Sequence, residues 1–109
     1  MSQRVAKIES VILQVVATEL GDLLDSDAPK ATVTRVDAAP DLRNATVWIG
    51  LLGNEKQQDI LWEHIERETG PLQVAVGKKL TMKFTPRLHL RRDTGGAYAA
   101  EIDRLLRGL

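Results

Sequence analysis

Hydrophobic residues recur every three or four positions along the first quarter of the chain. Between positions 4 and 24 they are Val5, Ile8, Val11, Ile12, Val15, Val16, Leu20, Leu23 and Leu24. This spacing predicts one long amphipathic helix with a charged outer face. Gly21 weakens its last turn, and the polar segment 25–29, which closes with a proline, ends it.

Two segments rich in β-branched residues follow, at 31–37 and 45–52. The turn-forming residues Pro40, Asp41 and Asn44 lie between them, so the pattern predicts an antiparallel hairpin with a long loop. Trp48 falls on the face of the second strand opposite Ala45, Val47, Ile49 and Leu51. It could pack half-buried against a neighbouring element, the commoner case, or stack on a nucleic-acid base.

A bent helix is predicted next. Asn54 is a suitable N-cap for a helix over 55–68, whose inward face would hold Ile60, Leu61, His64 and Ile65. Gly70 and Pro71 must stop or bend this helix, and Thr69 could cap a second piece that starts at Pro71. That piece would bury Leu72, Val76 and Leu80 and place Lys78 and Lys79 at its end.

Strict alternation then runs over 80–92. Apolar residues or proline occupy every even position from Leu80 to Leu90, and polar or cationic residues occupy the odd ones. A period of two predicts a strand with one core face and one cationic face. A last helix should follow with Tyr98, Ile102, Leu105 and Leu106 on one side. The order α-β-β-α(kinked)-β-α indicates an α+β two-layer sandwich, in which helices cover one face of a three-stranded sheet.

Length and composition limit the possible classes of protein. A chain of 109 residues with 43% hydrophobic side chains can bury one modest core, which predicts a single domain over residues 1–109. Because the chain has no cysteine, disulfides and thiolate metal sites are excluded, and a reducing cytoplasm is the expected location. No apolar run approaches the roughly 20 residues of a membrane span. We therefore expect a cytoplasmic monomer with no membrane partner.

The net charge of zero conceals a strong asymmetry. Residues 1–70 carry seven Lys or Arg against twelve Asp or Glu, whereas residues 71–109 carry eight against three. The segment 78–92 alone holds six cations and no carboxylate. A basic sector of this kind favours docking on a polyanion, although a run of charges is more often just a solvated surface.

The sequence offers no catalytic or metal-binding pattern. His64 and His89 are the only histidines, and neither has the spacing of a metal-ligand motif. No nucleophile or general base has a recognisable partner. We therefore expect a protein that is not an enzyme and needs no metal or cofactor.

The element order, together with two short motifs, resembles the ribosome-binding factor A family. The motifs are the Pro-Asp-Leu-x-x-Ala-x-Val segment that begins at Pro40 and the Gly-Lys-x-Leu segment that begins at Gly77 and leads to Pro86. The resemblance implies a type II KH-like fold. It also implies binding to the immature small ribosomal subunit and its rRNA, and support for late maturation of 16S rRNA. At the bend, the family's Ala-x-Gly pattern appears as Glu68-Thr69-Gly70.

Two hypotheses follow from the residues and the resemblance. In the first, the bend and the basic segment bind rRNA, with little base stacking because aromatic residues are only 4% of the chain. The candidate RNA-binding residues are Arg4, Arg43, Gly70, Lys78, Lys79, Lys83, Arg87, Arg91 and Arg92. In the second, the protein is a small α+β interaction or homodimerisation module with no role in RNA binding.

Overall fold

The computed structural model describes residues 3–24, with side chains as far as residue 22, and residues 31–93. The elements are α1 (Gln3–Leu24), β1 (Ala31–Ala38), β2 (Asn44–Leu51), α2 (Glu55–Arg67), α3 (Thr69–Lys79) and β3 (Arg87–Arg92). The predicted order is confirmed as far as β3. The predicted loop over 25–29 and the predicted last helix lie outside the described residues.

The sheet has the order β1-β2-β3. The predicted hairpin is confirmed, because β1 pairs antiparallel with β2 from Ala31 opposite Leu51 to Ala38 opposite Ala45. β3 lies parallel to β2 on its other side, with Leu88 beside Ala45 and Leu90 beside Val47. The sheet is therefore mixed, and β2 is its central strand.

One face of the sheet carries the core. β2 contributes Ala45, Val47, Ile49 and Leu51, and the helices cover them with residues that include Ile12, Val16, Ile65, Leu72 and Val76. α1 buries one residue per turn at Ile8, Ile12, Val16 and Leu20, as its periodicity predicts. The α+β two-layer arrangement with helices on one face is thus confirmed for the described part of the chain.

A β-bulge at Thr34 changes which side of β1 faces the core. Val33 lies opposite Ile49, but Arg35 rather than Thr34 lies opposite Trp48. The core-facing residues of β1 therefore change from odd positions, such as Val33, to even ones, such as Val36. As a result Arg35 lies on the open face of the sheet, the face that points away from the helices.

The connection into α2 is fixed by a capping box. The backbone N–H of Gln57 donates to Asn54 Oδ1 at 2.8 Å, and the N–H of Asn54 donates to Gln57 Oε1 at 2.9 Å. The preceding Gly53 has a φ of 111°, and a Cβ there would lie 2.8 Å from Gln57 Oε1. The predicted cap is confirmed, and glycine is required before it.

Asn54→Ala should lower the free energy of unfolding by about 1 kcal/mol, because it leaves the Gln57 N–H without its side-chain acceptor. Asn54→Asp keeps an acceptor oxygen and should stay close to the parent. Urea denaturation followed by circular dichroism measures both variants. Equal stability of Asn54→Ala and the parent would contradict a stabilising role for the cap.

The inward face predicted for α2 was partly wrong. Ile65 is fully buried and Leu61 is half-buried, but Ile60 is 61% exposed and His64 is also exposed. The core-facing side of α2 is formed by Leu61, Trp62 and Ile65, which lie three and four residues apart, so Ile60 and His64 belong to its outer surface. Within α2, Ile65 is the one buried residue.

The predicted strand over 80–92 was too long. Leu80 is the buried C-cap of α3, residues 81–86 form an irregular connection, and the strand starts at Arg87. Pro86 lacks the N–H that a ladder requires, which explains why regular pairing starts after it. The alternation also placed Phe84 on the core face, whereas 75% of its surface is exposed.

Candidate nucleic-acid interface

α1 and α3 pack side by side and run in opposite directions. Near one end, Glu19 and Asp22 of α1 lie beside Glu68, Pro71 and Leu72 in a shallow depression. At the other end, Arg4 of α1 lines a cleft with residues 81–85, which directly follow α3. The two ends of the helix layer therefore carry opposite charge.

The hairpin loop forms one wall of the cleft. Ala39 N–H donates to Asn44 O and Leu42 N–H donates to Ala39 O, both at 2.8 Å, while Arg43 N–H donates to Asp41 Oδ1 at 3.0 Å. Leu42 has a φ of 60°, a left-handed conformation that is uncommon for a bulky residue. The loop thus has a defined shape that places Arg43 at the cleft.

The connection between α3 and β3 forms the opposite wall. Lys83 and Phe84 line the cleft here, with Thr81, Met82 and Thr85. The Lys83 ammonium nitrogen lies 5.6 Å from the centre of the Phe84 ring. We call the space lined by Arg4, residues 40–43 and residues 81–85 the cationic cleft.

Three further cations lie at the same end of the molecule. Lys78 and Lys79 are exposed in the last turn of α3, where positive charge is favourable beside the helix C-terminus, and Thr81 in the cleft follows two residues later. Arg87 begins β3, and its N–H donates to the Arg43 carbonyl oxygen at 2.9 Å. We call this region the basic end; its six cations are Arg4, Arg43, Lys78, Lys79, Lys83 and Arg87.

The bend occurs as predicted but has a different construction. α2 ends at Arg67, Glu68 interrupts the helix, and α3 begins at Thr69 rather than at Pro71. The predicted N-cap at Thr69 is wrong, because its hydroxyl donates back to the carbonyl oxygen of Glu66 at 2.7 Å. Glu68 occupies the cap position without a side-chain cap bond.

Gly70 therefore lies apart from most of the other candidates. It follows Glu68 by two positions, near the depression that Glu68 forms with Glu19 and Asp22. α3 rises about 1.5 Å per residue, so Gly70 is roughly 12 to 14 Å from Lys78 and Lys79 along the helix. The bend and the basic end are opposite ends of α3.

Arg91 lies on the open face of the sheet. Along β3, Arg87, His89 and Arg91 are exposed on this face, as the alternation predicts. Arg91 is paired in register with Trp48 of β2. Trp48 is half-buried; the Arg35 guanidinium lies 5.3 Å from its ring centre, and its indole N–H donates to Asp37 Oδ2 at 3.3 Å. Trp48 is thus half-buried, as the commoner interpretation predicts, and it packs against Arg35 rather than a helix.

Arg92 lies on the other side of the sheet from Arg91. It is the last residue of β3, beside Ile49 in the parallel register, and so points to the helix side of the sheet. Its Nη1 donates to Asp59 Oδ1 of α2 at 2.8 Å, and its side chain is 26% exposed. Arg92 joins α2 to the sheet.

The sequence interpretation included Arg4 and Arg43 among the RNA-binding candidates, but the charge pattern along the chain does not show that they lie beside Lys83. Division of the chain after residue 70 separated Arg4 and Arg43 from the basic segment, although the fold brings them together. The signal was present in α1, where Arg4 and Lys7 lie in the first turns and Glu19 and Asp22 in the last ones.

Within 3–24 and 31–93, no helix is both long enough and apolar enough to cross a bilayer. The same residues contain no group of three His, Asp or Glu side chains that could hold a metal ion.

Comparison with known proteins gives a consistent result. The family model described as Ribosome-binding factor A matches residues 4–106. A protein named Ribosome-binding factor A from Methylobacterium nodulans is 36% identical over 110 aligned positions, which cover 97% of this chain and 81% of that protein.

One solved structure and one homology model fitted into a cryo-EM map are similar in fold. The solution NMR structure of a proposed ribosome binding factor A from Thermotoga maritima has a TM-score of 0.69 and 25% identity, with 88% of this chain and 92% of that chain covered. The second is a homology model of the Thermus thermophilus ribosome binding factor A, fitted into a cryo-EM map of its complex with the 30S subunit. Its TM-score is 0.53 and its identity 17%, with 84% of this chain and 93% of that chain covered, so this likeness concerns the fold alone.

Proposed function

Since this chain belongs to the ribosome-binding factor A family, we propose that it binds the immature small (30S) ribosomal subunit in the cytoplasm and supports late maturation and processing of 16S rRNA without catalysing a reaction. In this proposal residues 1–109 act as one KH-like RNA-binding domain. The family description and the name of the similar Methylobacterium nodulans protein, both Ribosome-binding factor A, support the choice of a ribosomal partner.

The observation that carries the proposal is the collection of six cations at the basic end. Arg4 comes from α1, Arg43 from the hairpin loop, Lys78 and Lys79 from α3, and Lys83 and Arg87 from the segment after it. Four separate segments thus supply positive charge to one end of the molecule, over a surface that includes the helix layer, which carries Lys78 and Lys79, and the open face of the sheet, which carries Arg87. Such a surface can contact several phosphates at once, and phosphate contacts supply most sequence-independent affinity for nucleic acid.

The remaining candidate residues have unequal roles in this proposal. Arg91 extends the basic end along the open face, because it lies about 13 Å beyond Arg87 at the usual strand rise. Arg92 is engaged by Asp59 and contributes mainly to the attachment of α2. Gly70 lies at the acidic bend, where repulsion of phosphate by Glu68, Glu19 and Asp22 disfavours a close contact with the RNA backbone.

The test is a charge-neutralising double variant, Arg43→Ala with Lys83→Ala. Each lost phosphate contact should reduce the slope of log affinity against log salt by about 0.7 to 0.9, so the loss of two contacts should reduce it by roughly 1.4 to 1.8. At about 1 kcal/mol per exposed charged contact, binding to purified 30S subunits should weaken roughly 20- to 30-fold. Co-sedimentation at several salt concentrations measures both quantities.

The matched control is Lys56→Ala with Arg67→Ala, two exposed cations of α2 that lie away from the basic end. This control removes the same number of positive charges, so a general electrostatic effect would weaken the binding of both double variants to 30S subunits equally. Equal behaviour of the two doubles would contradict the proposed interface. If the protein instead forms a tight homodimer that is insensitive to salt and does not bind 30S subunits, the alternative of a protein-interaction module would be favoured.

A further inference from the structure

The most exposed large apolar side chain of the described residues lies inside the cationic cleft. Phe84 is 75% exposed, compared with 61% for Ile60 and 57% for Val74. Single hydrophobic residues at a surface are normal in soluble proteins, so exposure by itself indicates no site. The surroundings of Phe84 distinguish it from Ile60 and Val74.

The cleft combines an aromatic ring, an apolar floor and positive charge. Leu42 and Met82, both half-buried against the core, line it together with Phe84. Lys83 lies over the Phe84 ring at 5.6 Å from its centre, and Arg43 comes from the facing wall. The one carboxylate among the lining residues is Asp41, which is engaged by the Arg43 backbone N–H.

Both walls are held in place by bonds from the rest of the fold. The hairpin loop is closed by its own backbone hydrogen bonds and by the bond from Arg87 N–H to Arg43 O. The facing wall is anchored just beyond Thr85, where the side-chain amide of Gln73 donates to Pro86 O at 2.7 Å. A ligand would therefore meet preformed walls and lose less entropy on binding.

A flat π-system that carries an adjacent negative charge fits this combination. An unpaired nucleotide has both, since every base has a π-face and is joined to a phosphate, whereas the bases of a duplex are stacked on each other. We propose that the cationic cleft receives an unpaired nucleotide of the bound RNA, with its base stacked on Phe84 and its flanking phosphates contacted by Arg43 and Lys83. This inference rests on the proposed function and specifies the form of RNA that the basic end binds.

The experiment compares the full-length parent with Phe84→Ala. The probes are purified 30S subunits, a fluorescein-labelled ten-nucleotide RNA without secondary structure, and the same RNA annealed to its complement. Phe84→Ala should bind the subunits and the single strand about 5- to 150-fold more weakly, the range expected for one lost base stack. Duplex binding and the salt slope should stay unchanged, because no cation is removed.

Two further variants make the result specific to stacking. Phe84→Trp keeps a π-face and should bind the single strand as well as the parent, with its indole fluorescence quenched on binding. Ile60→Ala removes an exposed apolar side chain of similar size from α2 and should bind all three probes like the parent. Failure of Phe84→Trp to bind would overturn stacking as the cause.

The outcomes separate this inference from the proposed function. Failure of the parent to bind 30S subunits at low salt would overturn both. Parent-like binding by Phe84→Ala would overturn the nucleotide site and leave the proposed function standing. Equally weakened binding to single strand and duplex would show that Phe84 contacts a phosphate backbone and not a base. Weakened binding to the subunits alone would show that Phe84 contacts a ribosomal protein. Either result would overturn the inference.

Discussion

Ile65→Ala should lower the free energy of unfolding by about 3 to 4 kcal/mol. Ile65 is fully buried, and its loss removes apolar contacts and leaves a cavity beneath α2. It is the one buried side chain of that helix, and its carbonyl oxygen accepts the Glu68 N–H at 3.0 Å. α2 and the bend should therefore open first, which urea denaturation and amide hydrogen exchange would detect.

Ile60→Ala is the matched control, because it makes the same substitution in the same helix at an exposed position. Its effect should stay within about 0.5 kcal/mol. If both variants lowered the free energy of unfolding by the same amount, the placement of Ile65 in the core and Ile60 at the surface would be wrong. Rapid amide exchange throughout α1 in Ile65→Ala would show that α2 does not open separately.

Gln73→Leu should cost about 2 to 3 kcal/mol of stability. The side chain of Gln73 bridges α3 to the start of β3, since its Nε2 donates to Pro86 O at 2.7 Å and its Oε1 accepts Leu88 N–H at 2.9 Å. Leu88 is buried, so leucine at position 73 would leave a shielded N–H and a shielded carbonyl without partners. The replacement keeps a similar size and isolates the loss of these two bonds.

Gln14→Leu is the comparison for this prediction, because Gln14 is exposed on α1. Urea denaturation should show little change for Gln14→Leu, and the Leu88 amide should exchange faster with solvent only in Gln73→Leu. Slow exchange of the Leu88 amide in both variants would contradict the bridge. Since Gln73 also anchors the wall that carries Phe84, Gln73→Leu should weaken binding of single-stranded RNA under conditions where it remains folded.

Both predictions concern elements that hold the basic end in shape. Ile65 fixes α2 and the bend at the acidic end of α3, and Gln73 fixes the cleft wall near the other end. The proposed interface therefore depends on how α3 is attached as much as on the cations themselves.

Elements governed by local patterns were predictable. The burial of one face of α1, the hairpin and the Asn54 cap all depend on residues within a few positions of one another. The wrong predictions arose where distant contacts decide. The alternation over 80–92 predicts one strand, yet pairing with β2 starts only at Arg87. Ile60 has helical spacing, yet the core contacts the side of α2 that carries Leu61 and Ile65.

The bulge at Thr34 is an intermediate case. The apolar residues of β1 change from odd to even positions between Val33 and Val36, a break in alternation that is visible in the sequence. Its consequence, that Arg35 lies over Trp48 on the open face, depends on pairing with β2. Arg92 is similar, because only the parallel register with β2 turns it toward Asp59.

For the described part of the chain, the sequence by itself determined the helices, the strands and their order, and it also indicated the family, because periodicity, caps and motifs act over short stretches of chain. Only the tertiary structure decided where the charge lies. Antiparallel packing of α1 on α3 and parallel pairing of β3 with β2 bring Arg4, Arg43 and Lys83 to one end and leave Gly70 among carboxylates at the other. The physical reason is that electrostatic potential depends on distances in space, and these are set by core packing between segments far apart in the chain.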